Sequence, residues 1–364
     1  FNSLLEYPLL FALALMLRPS SSTTTSSWHR DFGIAAIIFI GLSLLFFLAR
    51  TLLNPFRNEV VGVLLVLGFF IVKYCFDQKD RPLRLGFCYM AAVFAGVVLA
   101  DIRGMTAESA RNFYGIVTVS KSDPNVFFMR HGTTTHGVQY VSGEKKLIPL
   151  SYFHPSGPLG DLMKLVVEKD RPVNIAVIGL GVGSISCYGR KDDKITFFEI
   201  NPEVIRLAHN INYFTYLKDC DPTIDMVVGD GRINLERDQR KFDAIILDAF
   251  TSDAIPVHLL TREAFNLYAK HLNDDGVIIA HISNRYLNLG LVVRAIATAE
   301  DMSVRLFFDK NVSQEPYKKE SFWTVMGKDE VISKMNLPDH WQDSDQSDPK
   351  YLWTDDYSNI LLLM

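Results

Sequence analysis

The chain of 364 residues is 48% hydrophobic and only 21% charged, which excludes an intrinsically disordered protein and gives enough length for about two domains. Lys and Arg total 37 against 41 Asp and Glu, so the net charge of -4 gives no general basic surface for wrapping nucleic acid. Residues 1–100 carry 8 basic and 5 acidic side chains, whereas the other 264 residues carry 29 and 36. The chain therefore has two differently composed parts.

Several apolar runs in the first hundred residues have nearly the length of a membrane span. The run 32–49 has 18 residues without a formal charge, which as a helix covers about 27 Å of hydrocarbon. The runs 60–76 and 85–100 are at the short limit for a span, and 4–17 resembles the remainder of a longer helix. We predict a transmembrane helical region over residues 1–103 with three or four spans.

A soluble helical bundle is the alternative for this region. Its helices would show a polar face every 3.6 residues, and the run 32–49 has none. The chain begins with Phe1 rather than Met, so we expect further residues to precede it, and these can include further spans.

Four cysteines, at positions 75, 88, 187 and 220, show no CxxC pair and no short metal-binding spacing. We interpret them as reduced thiols and do not expect a structural zinc site. His131 and His136 lie close together without a third nearby ligand, so loop histidines are favoured over a metal site, and no metal is predicted.

Residues 104–157 are predicted to form a small β-module. The β-type runs 113–119 and 126–129 are separated by KSDPN, a turn-rich segment typical of a hairpin. A helix is expected to begin near Pro158, after the segment that contains Tyr152.

A glycine-rich turn opens the next part of the chain, residues 158–330. The apolar run 173–178 is typical of a strand buried on both faces, and it leads directly into Gly179, Gly181 and Gly183. Glycines allow a ligand to approach the backbone, and a following helix would offer unpaired N–H groups. The pattern predicts a strand, a ligand-binding turn and a helix.

Acidic residues follow the next three predicted strands. Glu199 ends the strand 194–198 and is placed to accept two ribose hydroxyls, although capping of the next helix is an alternative. Asp230 follows the third strand, where a carboxylate can accept a hydrogen bond from an adenine amino group, and Asp248 follows the fourth. Ligands of open parallel sheets bind at the carboxyl ends of the strands, so these acids are predicted to share one crevice.

Three further strands complete the predicted sheet, at 276–282, 304–308 and 322–326. The connection between the last two is too short for a crossover helix and favours an antiparallel pair. The predicted fold is α/β: a seven-stranded, S-adenosylmethionine-methyltransferase-like Rossmann sheet with a small N-terminal β-module, preceded by the transmembrane region. Residues 331–364 form a C-terminal tail whose Tyr357 is expected to fold back over the crevice.

Several sequence blocks together resemble the spermidine/spermine synthase (polyamine aminopropyltransferase) family. More closely, they resemble its bacterial branch, in which the domain is fused to membrane helices. The resemblance covers residues 113–364. The blocks that carry it are VIGLGVGS, FFEINPEVIRLA, GDGRINL, FDAIILDAFTSDAIPVHLLTREAF, HISNRY and WTDDYSN.

The resemblance implies a role for each matching residue. Asp248 corresponds to the aspartate that helps to deprotonate the attacking amine, Asp253 is a candidate partner for the other ammonium of a diamine, and Tyr152 faces the site. Asp355 and Asp356 are weaker candidates for the same partner. The residues implied to bind decarboxylated S-adenosylmethionine are Gln139, Gly179, Gly181, Gly183, Glu199, Asp230 and Gly231.

Two departures from the family pattern concern the transferred group. Val182 occupies the place of an Asp that lies near the amine of decarboxylated S-adenosylmethionine. Asp253 lies five residues after Asp248, whereas the second family carboxylate lies three residues after the first. The resemblance therefore supports the adenosine pocket better than it supports the group that is transferred.

Three functions follow as expectations. The first is transfer of an aminopropyl group from decarboxylated S-adenosylmethionine to a diamine such as putrescine. The second is methyl transfer from S-adenosylmethionine to an amine or a membrane-associated substrate, and the third is a non-catalytic nucleoside-sensing membrane module. The first two need no metal, because the sulfonium leaving group is already positively charged.

The expected partners are a small polyamine and a lipid bilayer, without nucleic acid, and a homodimer is compatible with the resemblance. We expect the protein in the inner (cytoplasmic) membrane as a multi-pass protein. Because both co-substrates are cytosolic metabolites and the thiols are expected to be reduced, the catalytic domain is predicted to face the cytoplasm.

Overall fold

Two structural units, residues 1–106 and 107–364, make up the chain in the computed structural model. The described residues are 6–19, 28–52, 73–74, 77, 80–102, 106–123, 125–132, 134–249, 256–312, 315–343 and 347–364.

The first unit contains helices whose exposed side chains are largely apolar. Helices α1 (Glu6–Met16) and α2 (Trp28–Leu52) both contact α3 (Pro82–Ile102). A buried ion pair joins α2 to α3, with Asp31 Oδ1 2.7 Å from Arg84 Nε. On α2, Ile37 is 71% exposed, and Ile40 and Leu44 are also exposed. The helices therefore pair partly through charge and leave apolar surface uncovered.

The structure describes only part of the region that is predicted to span the membrane. Of the run 60–76, only residues 73 and 74 are described, so this prediction lies almost wholly outside the described residues. Within the ranges given above, no helix combines the length and the apolar character that crossing a bilayer requires.

The second unit begins with a four-stranded sheet in the order β1-β2-β3-β4. Strands β2 and β3 form the expected antiparallel hairpin, and β4 pairs with β3. The module thus has more strands than the two short runs indicated. The bounds are β1 Thr106–Asn112, β2 Gly115–Asp123, β3 Val126–His131 and β4 Thr134–Tyr140.

The larger sheet has eight strands in the order β12-β10-β11-β9-β8-β5-β6-β7. The strands are β5 Asn174–Ile178, β6 Lys194–Glu199, β7 Thr223–Val228, β8 Phe242–Leu247, β9 Leu272–His281, β10 Ser303–Asp309, β11 Ser321–Gly327 and β12 Gln342–Asp343. Strands β5 to β9 pair in parallel, whereas β11 is antiparallel to both β9 and β10. The seven predicted strands are all present, and the two-residue β12 adds an eighth.

Helices cover the faces of this sheet. They are α4 Pro158–Val167, α5 Pro202–Ala208, α6 Tyr216–Asp219, α7 Gly231–Arg237, α8 Arg262–Lys270, α9 Leu289–Ala299 and α10 Asp329–Ile332. Successive strand residues point to opposite faces, so Ile175 and Val177 enter one apolar core while Ala176 and Ile178 enter the other. Burial on both faces explains why the parallel strands are continuous apolar runs.

The expectation that all cysteines are reduced is wrong for one pair. Cys187 and Cys220 form a disulfide whose Cα atoms are 4.9 Å apart. Cys187 lies in a five-residue 3-10 helix, Ser184–Tyr188, and Cys220 follows α6. Their separation of 33 residues concealed the pair in the sequence, because only the fold brings the two segments together.

Replacing Cys187 and Cys220 with Ser should lower the free energy of unfolding of the second unit by about 3 kcal/mol. The crosslink restricts the unfolded chain over a loop of this length. Urea unfolding of the variant and the wild-type chain without reductant measures the difference, with Cys88→Ser as the control. Equal stabilities would show that the disulfide does not contribute.

Candidate active site

The glycine turn after β5 touches the backbone of β8 and of the β-module. At Gly179 the φ angle is +102°, and a Cβ atom there would lie 2.4 Å from the Asp248 carbonyl oxygen. At Gly181 the φ angle is +55°, and a Cβ would lie 2.4 Å from the His136 carbonyl oxygen. Both the conformation and the close approach require glycine.

The turn leads into the short 3-10 helix Ser184–Tyr188 rather than into the predicted α-helix. That part of the prediction is wrong, because chain reversal toward β6 leaves only five helical residues. Ligand contacts at this turn would come from the loop and from neighbouring strand ends.

A cavity of about 120 Å³, here named the nucleoside cavity, lies at the carboxyl ends of the parallel strands. Its walls include five predicted site residues, Gly179, Gly181, Glu199, Asp230 and Gly231, together with Asp248. The structure thus brings the strand-end acids and the glycine turn together at one crevice, where ligands of such sheets bind.

The Glu199 carboxylate is held by backbone groups on two sides. Its Oε2 accepts a hydrogen bond from the Leu180 N–H at 2.9 Å, and its Oε1 accepts one from the Asn201 N–H at 2.8 Å. The cap of α5 is instead Asn201, whose side chain accepts a hydrogen bond from the Glu203 N–H. Each carboxylate oxygen keeps a lone pair for a ribose hydroxyl.

Burial raises the pKa of the Glu199 carboxyl, and backbone hydrogen bonds from Asn201, Leu180 and Ile200 only partly oppose it. The carboxylate should therefore become protonated at a higher pH than an ordinary glutamate, and a nucleoside that needs the charged form should bind more weakly as the pH falls. Calorimetry with 5′-methylthioadenosine from pH 7.5 to 5 tests this. Constant affinity down to the pH at which the carboxyl is protonated would contradict a charged Glu199 as the ribose acceptor.

Asp230 has protein partners on both carboxylate oxygens. Oδ1 accepts a hydrogen bond from the Ile233 N–H at the start of α7, and Oδ2 lies 2.9 Å from His258 Nε2. His258 also lines the nucleoside cavity. An adenine amino group would therefore meet an Asp230–His258 pair rather than an isolated carboxylate.

The C-terminal tail is tied to this side of the sheet through Arg232. The Arg232 guanidinium binds both carboxylate oxygens of Asp355, at 2.7 and 2.6 Å, and holds the pKa of that carboxyl at about 2. Tyr357 is 54% exposed and lines a surface cavity with Arg232 and His258. The tail thus packs beside the nucleoside cavity, and Asp355 is engaged with Arg232.

Asp248 lies at the tip of β8 and is almost fully buried. Its Oδ1 is 2.7 Å from His281 Nδ1 at the tip of the adjacent strand β9. Burial raises the pKa of the Asp248 carboxyl, whereas the hydrogen bond and the charge of His281 lower it. A buried carboxylate with a raised pKa is a stronger proton acceptor than an exposed one.

Tyr152 lies beside Asp248 and His281, but it lines a second cavity of about 750 Å³, here named the outer cavity. Its ring stacks on His281 with centroids 4.4 Å apart. Burial and the nearby Asp248 raise the pKa of the Tyr152 phenol, so it stays protonated and can act as a hydrogen-bond donor. An acceptor substrate in the outer cavity would contact Tyr152.

Gln139 does not lie in the nucleoside cavity, so its predicted role as a co-substrate ligand is not supported by its position. Its side chain is fully buried and exchanges hydrogen bonds with Thr215, and it donates to the Lys146 carbonyl. The amide is satisfied by protein groups because β4 places it against the segment before α6. Gln139 thus joins the β-module to the larger sheet.

Two other predicted features of the glycine turn lie outside the walls of the nucleoside cavity. Gly183 contacts Leu217 rather than the nucleoside cavity. Val182 is fully buried, and its methyl groups fill the space beside Gly137. Asp253 lies outside the described residues. Within the described ranges, no cluster of three His, Cys, Asp or Glu side chains could hold a metal.

Histidines outside the predicted site residues also line the two cavities. His281 Nδ1 lies 2.7 Å from Asp248 Oδ1. His136 lines the nucleoside cavity, where burial, followed by repulsion from His131, lowers its pKa to about 4. The available signal for His281 was its place at a strand end next to that of Asp248.

With this geometry established, comparison with known sequences gives a family match for the central part of the chain. Residues 161–329 match the spermine/spermidine synthase domain. This segment contains the glycine turn, Glu199, Asp230, Asp248 and His281.

Two curated relatives match part of this chain at about one-third identity. The polyamine aminopropyltransferase of Vibrio vulnificus (strain CMCP6) is 33% identical over 119 residues, which are 30% of this chain and 38% of the relative. That of Korarchaeum cryptofilum (strain OPF8) is 32% identical over 126 residues, or 34% of this chain and 39% of the relative. The chain thus spans about two-fifths of the length of these relatives.

Among solved structures, a probable spermidine synthase from Corynebacterium glutamicum ATCC 13032 aligns with a TM-score of 0.49 and 14% identity. The alignment covers 65% of this chain and 90% of that chain. The strand order and the antiparallel final pair described above are those of a methyltransferase-like Rossmann fold with a mixed sheet.

Proposed function

We propose that the protein is an aminopropyltransferase that moves the aminopropyl group of decarboxylated S-adenosylmethionine to a diamine such as putrescine. The single observation that carries this proposal is the placement of Asp248. It lines the nucleoside cavity directly beside the glycine turn and two strands from Glu199, while its partner His281 faces the outer cavity. The matched domain and the two relatives named above support the same reaction class.

Glu199 and the glycine turn would bind the nucleoside, and the co-substrate would supply a carbon bonded to a positively charged sulfur. An aliphatic ammonium has a pKa near 10, so it is a poor nucleophile at neutral pH until a base removes a proton. Asp248 would accept that proton and Tyr152 would orient the acceptor. Correct alignment of the two substrates contributes much of the remaining acceleration.

Methyl transfer from S-adenosylmethionine is the second candidate, and Val182 is the observation that favours it. The buried valine leaves no carboxylate at this point of the turn to bind the donor's amine. Without that acid, the site should be less selective for a decarboxylated donor. On the β-module, His136 lines the nucleoside cavity, and burial lowers its pKa to about 4, so the ring is neutral.

A product assay separates the two candidates. The purified full chain is incubated with putrescine and each donor in turn, and products are identified by mass spectrometry. Spermidine formed only from the decarboxylated donor supports the first proposal, whereas a methylated amine formed only from S-adenosylmethionine supports the second. No product from either donor, combined with tight nucleoside binding by calorimetry, would favour the sensing module.

We also propose that residues 1–103 attach the protein to the cytoplasmic membrane as a multi-pass anchor, with the catalytic unit on the cytoplasmic side, although no helix of the described residues supports the spans themselves. Exposed apolar side chains such as Ile37, Ile40 and Leu44 support attachment to a bilayer. The orientation follows from the cytosolic origin of the co-substrates. The Cys187–Cys220 disulfide does not support a cytoplasmic orientation of the catalytic unit, because disulfides are uncommon in reducing compartments.

Fractionation of expressing cells tests the location. The full chain should remain in the membrane pellet after alkaline carbonate extraction, and protease added to spheroplasts should leave the catalytic unit intact. Release into the carbonate supernatant would exclude an integral anchor. Light scattering of the full chain, solubilised in detergent, would show whether it is a homodimer.

A further inference from the structure

Asp248 is joined to His281, for which the proposed reaction has so far no role. Asp248 Oδ1 and His281 Nδ1 are 2.7 Å apart, and both side chains are only 4% exposed. Asp248 lines the nucleoside cavity, whereas His281 lines the outer cavity. The pair therefore lies where a donor in one cavity and an acceptor from the other would meet.

The imidazole ring of His281 is fixed by its neighbours. Tyr152 and Trp323 both stack on it, with ring centroids 4.4 and 4.6 Å away. Its Nε2 lies 2.7 Å from Ser283 Oγ, and that oxygen also accepts the Phe322 N–H at 2.8 Å. Rotation of the ring would break contacts at both nitrogens and both stacking surfaces.

These contacts are consistent with a hydrogen bond donated by His281 Nδ1–H to the Asp248 carboxylate in two protonation states. In the neutral ring, the Ser283 hydroxyl donates to Nε2. In the imidazolium, Nε2–H donates to the second lone pair of Ser283 Oγ, since the first accepts the Phe322 N–H. The site therefore accommodates a proton on the ring with only a turn of the Ser283 hydroxyl.

We propose that His281 is a positioning residue for Asp248, holding its carboxylate toward the nucleoside cavity and sharing the proton released by the acceptor nitrogen. This inference rests on the proposed transfer reaction. The acceptor ammonium gives one proton to the Asp248–His281 pair, and its nitrogen lone pair forms the new C–N bond. The C–S bond breaks with its electrons remaining on sulfur, which leaves as a neutral thioether.

The surroundings of the pair predict the direction of a pH effect. His281 lowers the pKa of the Asp248 carboxyl against the larger effect of burial, so removing the imidazole leaves burial less opposed. The other titratable groups on the nucleoside cavity are Tyr114, His131, His136, Glu199, Asp230 and His258, and those on the outer cavity are Tyr152, Arg285, Tyr286, Lys319 and Glu320. Loss of His281 should therefore move the acid limb of the pH–rate profile to higher pH.

Two substitutions separate proton sharing from packing. His281→Phe keeps an aromatic ring between its neighbours but loses both hydrogen bonds, and kcat should fall about 100-fold with KM for the acceptor nearly unchanged. His281→Asn keeps a donor to Asp248 and should recover part of that loss. The acid limb of kcat/KM should move to higher pH in His281→Phe.

Controls define the origin of these effects. Ser283→Ala should cost no more than about tenfold, because the Asp248 contact remains. His340→Asn, which removes a histidine bound to Asp161 on α4, should leave activity unchanged. An unshifted acid limb in His281→Phe, or His281→Asn no more active than His281→Phe, would overturn the proposal, as would a larger loss in Ser283→Ala.

A measurement without turnover separates this proposal from the proposed function. Nitrogen-15 NMR of histidine-labelled full chain should show an Nδ1–H signal for His281 whose chemical shift changes in Asp248→Asn. If the chain transfers no group to any amine but this change is present, the proposed function fails and the pair stands. If transfer occurs and the His281 signal is identical in both chains, proton sharing is refuted.

Discussion

Asp248→Asn is expected to lower kcat for group transfer by about 100- to 10,000-fold, the range that loss of a general base produces. The amide has the same shape as the carboxylate and can still meet His281, but it cannot accept a proton from the acceptor ammonium. The nucleoside should bind with unchanged affinity, since Glu199 and the glycine turn provide its contacts.

Steady-state kinetics at saturating substrates measures the loss, and calorimetry with 5′-methylthioadenosine checks that the site is intact. Asp274→Asn is the matched control, because this exposed aspartate pairs with Lys328 away from both cavities. If Asp248→Asn retained a kcat within threefold of wild type while Asp274→Asn behaved normally, Asp248 would not be the base.

Glu199→Gln should weaken nucleoside binding by about 100-fold while kcat at saturation changes little. Hydrogen bonds to a charged group contribute about 1.5–3 kcal/mol each, and the carboxylate is placed to accept two from a ribose. The neutral amide replaces one acceptor by a donor, which also faces the Leu180 or Asn201 N–H.

The dissociation constant of 5′-methylthioadenosine gives the direct readout. Glu203→Gln provides the comparison, because it removes the same charge from the adjacent helix, where Glu203 pairs with Arg206. An equal effect in both variants would indicate general electrostatics, and no effect in Glu199→Gln would place the ribose elsewhere.

The parallel sheet and the convergence of its acidic residues at one edge were predictable, because both depend on the local sequence pattern. Apolar runs of five or six residues followed by Gly or an acid predict buried strands and their carboxyl ends, and parallel pairing then brings Glu199 and Asp248 to one edge. Asp248 and His281 end adjacent strands, so their proximity was also implicit in the sequence. The orientation of the His281 ring was not implicit in the sequence, because it depends on tertiary contacts.

Features that depend on tertiary contacts escaped prediction. Gln139 hydrogen-bonds Thr215 because the β-module packs on the segment before α6. The Cys187–Cys220 disulfide joins segments whose separation in sequence carries no pairing signal. The helix expected after the glycine turn is reduced to a 3-10 turn by the route of the chain toward β6.

The contact between Gly179 and Asp248 has a consequence for how this site can change. The Asp248 N–H donates to the Ile178 carbonyl at 2.9 Å, and the Asp248 carbonyl lies where a side chain at Gly179 would have to fit. Donor recognition and proton removal thus share one rigid stretch of main chain. Engineering toward a bulkier donor would need to enlarge the opposite wall, because widening the turn would carry the base out of alignment.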